Sequence, residues 1–91
     1  MDRAEAYTIA RDELASIECA GYGVASEHID TIVLKDVSAN SGSLYEVELS
    51  YLWKDQACEE ILVICRVTSK KKDWFGHKQV EESIILCSPS T

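Results

Sequence analysis

The chain is predicted to fold as an α+β domain in which one N-terminal helix packs on a four-stranded antiparallel meander sheet. Three observations predict this. Apolar residues recur at helical spacing only ahead of Gly21. Clean two-residue alternation runs from Leu44 to Trp53, the pattern of a half-buried strand. An unbroken apolar run, Ile61, Leu62, Val63, Ile64 and Cys65, then describes a strand covered on both faces.

The helix opens on Asp2 with Glu5 three residues later, a pairing that resembles a capping box, and Ala6, Tyr7, Ile9, Ala10, Leu14 and Ile17 follow on one face. Gly21-Tyr22-Gly23 supplies positions that tolerate positive φ and ends the helix, and a loop is expected from there to residue 28. The first strand is expected over His28 to Val37, rich in β-branched and apolar residues. Residues 38–43, Ser-Ala-Asn-Ser-Gly-Ser, form a turn by composition.

In the second strand Tyr45, Val47, Leu49, Tyr51 and Trp53 share the core face, leaving Glu46, Glu48 and Ser50 on the reverse. A hairpin over Lys54 to Ala57 then predicts that Tyr45, Val47, Leu49 and Tyr51 stand opposite Val67, Cys65, Val63 and Ile61, with Glu46 opposite Arg66. The last strand, Lys78 to Ser88, is expected to set Glu81 beside Arg66 and to bring Val80, Ile84 and Leu86 to the core, with Pro89 marking its end. This element order resembles the cystatin-like arrangement, and also a shortened nuclear-transport-factor-like cone. The resemblance is one of element order, since the chain has no Gln-x-Val-x-Gly inhibitory loop.

Ninety-one residues form a single domain, residues 1–91, and a chain of this length buries only about 60–65% of the surface its unfolded form exposes. One helix does not cover both sides of the sheet. On the reverse face Leu52, Leu62, Ile64, Ile85 and Cys87 lie beside charged residues, a mixture too apolar for a solvated surface and too charged for a monomer core. The expected outcome is a homodimer or higher oligomer through that face.

Sixteen acidic against nine basic side chains give a formal charge of −7, a field that repels phosphate backbones and anionic lipids and excludes general nucleic-acid binding. Four lysines and one aspartate give the segment 70–78 a net +3, leaving −10 on the remainder. The opening residues have no apolar leader segment and no stretch is apolar enough to span a membrane, so a cytoplasmic location is expected. Cys19, Cys58, Cys65 and Cys87 are widely spaced, mostly within apolar segments, and are expected to be reduced core thiols. With His28 and His77 they offer no close ligand pair, so neither a metal nor a cofactor is expected.

Three candidate constellations carry chemistry. Lys70, Lys71, Lys72, Trp74, Phe75 and His77 join cations to aromatics in a loop, the composition of a recognition surface for an anionic or aromatic group; folding of the two rings onto the open end of the sheet is the structural alternative. Tyr45, Tyr51, Trp53 and Glu82 line a cavity if the helix stands off the sheet, as a cone fold implies. His28-x-Asp30 places an imidazole and a carboxylate on one strand face, but no activated nucleophile accompanies them, and a solvated structural pair is the expected reading. The leading expectation is therefore a non-enzymatic, self-associating interaction module. A small-molecule-binding domain or minor enzyme is the alternative, and an acidic inhibitor of a cationic protein a third.

Overall fold

The computed structural model describes residues 3–70 and 79–88. Among them, helices α1 (Arg3–Ala20) and α2 (Tyr22–Ser26) precede strands β1 (Ile32–Ser38), β2 (Leu44–Asp55), β3 (Glu60–Ser69) and β4 (Gln79–Cys87). The strands form one antiparallel sheet in the order β1-β2-β3-β4, so each strand pairs with its sequence neighbours. This is an α+β fold with a helix on a four-stranded meander, consistent with the cystatin-like order.

Helix α1 lies over β3 and β4. Its buried positions are Ala6, Ala10 and Leu14, and the two alanines, fully excluded from solvent, let the helix axis come close to the strands. Beneath it the sheet presents Tyr45, Val47, Leu49 and Tyr51 from β2, Ile61, Val63, Cys65 and Val67 from β3, and Val80 and Leu86 from β4. The one-residue alternation of the strands assigns all of these to the same face.

Four details differ from expectation. Only Gly21 of the two glycines takes positive φ (95°): its N–H donates to the Ile17 carbonyl, closing α1. The chain then makes one more helical turn, α2, which buries Ala25, where a loop was expected.

Strand β1 begins at Ile32 instead of His28. The intervening residues turn: the His28 N–H donates to Ala25 O, the Thr31 N–H to His28 O, and Asp30 sits at φ 65°.

The β2–β3 register is displaced by two residues from the expected one, so that Val47 faces Val67, Leu49 faces Cys65, Tyr51 faces Val63 and Trp53 faces Ile61. Arg66 accordingly stands opposite Glu48 and not Glu46. The cause is the hairpin, whose loop is Gln56 to Glu59, two residues later than the expected Lys54 to Ala57. The Asp55 carboxylate accepts the Cys58 N–H at 3.2 Å, Glu59 takes φ 55°, and the pairing is irregular between Trp53 and Asp55. A displacement of two preserves the face of every residue, which is why the core assignment survives. In β3–β4 the register is as expected, with Arg66 opposite Glu81, Val67 opposite Val80 and Ile61 opposite Leu86.

The fourth difference concerns the thiols. Cys65 alone is buried, whereas Cys19, Cys58 and Cys87 are exposed free cysteines. Cys19 lies near the end of α1, Cys58 in the hairpin loop and Cys87 on the reverse face at the end of β4.

Candidate interaction surface

The reverse face is built by the even-numbered residues of β1, β2 and β3 and the odd-numbered residues of β4, as the registers require. Successive cross-strand rows give it two halves. Toward the β2–β3 hairpin, one row sets Leu52, Leu62 and Ile85 side by side, and the next sets Ile32, Ser50, Ile64 and Ser83. Leu34, Glu48, Arg66 and Glu81 form the third row, and Asp36, Glu46, Thr68 and Gln79 the fourth. The apolar half is open: Ile32 and Leu34 are 62% and 61% exposed, Leu52 41% and Ile85 44%. Leu62 and Ile64, between them on β3, are half-buried.

The polar half is held by ion pairs. Arg66 Nε donates to Glu81 Oε1 at 2.7 Å and Nη1 to Glu48 Oε2 at 3.2 Å, so one guanidinium ties β2, β3 and β4 together. Those two hydrogen bonds, Glu81 first, raise the Arg66 pKa above its ordinary value. Further along, Lys70 Nζ pairs with Asp36 Oδ2 at 2.9 Å across the end of the sheet. Arg66 was expected in such a ladder, with Glu46 in the place that Glu48 takes.

Of the expected recognition loop, Lys70 is seen in that ion pair. Lys71, Lys72, Trp74, Phe75 and His77 lie outside the described residues.

The four candidate cavity residues sit on the helix side of the sheet. Tyr45 is 1% exposed and its hydroxyl donates to Glu5 Oε1 at 2.8 Å. Tyr51 is buried with its ring 5.2 Å from the His28 ring, and desolvation raises its pKa. Trp53 is half-buried against the core, and Glu82 lies 3.8 Å from Arg11. His28 Nδ1 lies 3.0 Å from the Val24 carbonyl, while the Asp30 backbone N–H donates to Tyr51 O. The imidazole is thus positioned by the end of α2.

Asp55, Cys58 and Glu60 converge at the β2–β3 hairpin with ligand atoms within 4.8 Å of one another, a grouping not anticipated from the spacing of cysteines and histidines. The turn itself accounts for the approach of two of them, because Asp55 accepts from the Cys58 backbone. A hydrogen bond to Asp55 and the adjacent carboxylate charge raise the Cys58 pKa. Among the described residues no helix is long and apolar enough to cross a membrane.

Sequence reasoning missed Ile32 and Leu34 as members of the apolar half. The signal was present in their even numbering, but it becomes readable only once β1 is paired with β2. Compared with protein-family models, curated proteins and solved structures, the chain matches none.

Proposed function

We propose that this chain is a non-enzymatic, self-associating interaction module, two copies of which pack through the apolar half of the reverse sheet face. The observation that supports the reading is the open apolar surface of Ile32, Leu34, Leu52 and Ile85 around half-buried Leu62 and Ile64. Packing these side chains against a second copy removes their remaining apolar surface from water, the term that drives association. Association costs translational and rotational freedom, so a patch of this size supports a concentration-dependent pairing. The Glu48–Arg66–Glu81 row forms a polar rim on one side of the patch, the usual anatomy of a protein interface.

The test is light scattering across a dilution series. At about 1 mM, pairing predicts an average particle mass well above the 10.2 kDa of one chain. Leu62→Arg should return the single-chain mass with unchanged circular dichroism. A wild-type particle of one chain mass at that concentration overturns the proposal.

A further inference from the structure

The sheet has two outer strands, β1 and β4, and the helix does not treat them alike. Because α1 lies over β3 and β4, a groove of ≈ 470 Å³ remains between the first half of α1 and the end of β1. Glu5, Ile9 and Asp12 form its helix wall, and Val37 and Ala39 its strand side. The wall is acidic. Glu5 holds the Ser41 and Tyr45 hydroxyls, and Asp12 stands exposed one helical turn beyond Ile9. On the opposite face of the same strand, Ile32 and Leu34 are the most exposed large apolar residues described.

Among the described residues, β1 pairs with β2 alone, so its outer backbone edge is open over seven residues without proline or bulge. Lys35, the charge that blunts many natural strand edges, is drawn onto the helix by its ion pair with Glu13. An extended segment added to this edge would alternate its side chains between the acidic groove and the apolar surface beside Leu34.

We propose that the β1 edge and its groove accept an extended peptide segment of a partner protein, with lysine or arginine on the groove side and apolar side chains on the other. Charge complementarity selects this occupant over a second copy. Two copies of β1 paired antiparallel would bring both acidic α1 walls to one side of the joined sheet. A cationic strand brings opposite charge to that wall, and the lysine that falls opposite Lys35 meets a charge already paired with Glu13.

The test titrates the full chain into a fluorescent peptide of about ten residues that alternates lysine with valine, a length that spans one strand. A glutamate–valine peptide and a lysine–valine peptide with one central proline serve as controls. Saturable binding of the first peptide is expected, weakened at least about tenfold in either control and in Asp12→Lys. Amide exchange should slow along β1 on binding, and Leu62→Arg should bind the peptide as the wild type does. Equal binding of the proline peptide would reduce the effect to bulk charge attraction and overturn the proposal. So would unaltered binding by Asp12→Lys, or protection already present without peptide at the outward-facing amides of β1, which do not pair with β2, the signature of strand pairing between copies.

Discussion

The face of the sheet under α1 and the face turned away from it are carried by the same strands, one residue out of step, yet they end in different physical states. Beneath the helix Tyr45, Val47, Ile61, Val63, Cys65 and Val67 are at most 1% exposed, whereas Leu52 and Ile85 on the other side retain over two fifths of their surface. Both sets are apolar enough for a core. The difference lies in what covers them: alanines at positions 6 and 10 let α1 seal one side, and the other has only a row of ion pairs along half its length. Hydrophobic composition therefore states which surfaces seek cover, and the placement of the single long helix states which of them finds it within one chain.

The largest effect that separates the faces is on stability. Ile61→Ala removes a fully buried side chain beneath the helix and should cost about 2–5 kcal/mol in urea unfolding. Ile85→Ala, on the open face, should cost under about 1 kcal/mol in dilute monomer while weakening self-association. Equal costs at the two positions would show that the reverse face is already covered within the protomer.

Alkaline pH sharpens the same contrast. Burial pushes the Cys65 thiol up from 9.0 to about 11. Between those values the unfolded chain releases the thiol proton and the folded chain keeps it, so stability should fall as pH rises from 9 toward 11. Replacing Cys65 with alanine costs packing but should flatten that part of the pH profile. A thiol reagent should label Cys19, Cys58 and Cys87 in the native protein and reach Cys65 only on unfolding.

The smallest expected effect is at the ladder. Arg66 is 42% exposed in its side chain, and Arg66→Ala should cost about 1 kcal/mol or less at low salt, and less still at high salt. A loss of several kcal/mol would mean that the polar half is buried like a core.

Much of this architecture is legible in the residues. The 45–53 alternation identifies the buried side of β2, and its parity survives a two-residue change of partner, since shifts of two leave every side chain on its own face. Arg66 and Glu81 were readable as neighbours for a similar reason, since the pairing that brings Val80, Ile84 and Leu86 to the core sets them side by side on the reverse face. The partnership with Glu48 was not readable, because Glu46 and Glu48 share a face and only hairpin geometry chooses between them. The 70–78 lysine–aromatic segment, the most function-like local motif, adds Lys70 to the description through its pairing with Asp36, a residue distant in sequence.

By itself the sequence determined the long helix and the four strands, the inward parity of β2, β3 and β4 and the surplus of apolar surface over one helix's reach. These follow from local rules, the helical and strand periods and the conformational freedom of Gly21. Tertiary structure alone decided that Ile32 and Leu34 join that surplus, that Glu48 and not Glu46 holds Arg66 with Glu81, and that α1 crosses β3 and β4 so as to leave a groove and an open edge at β1. The physical reason is that periodicity acts within a strand or helix, whereas register and helix placement are set by turns and by packing between residues far apart in the chain.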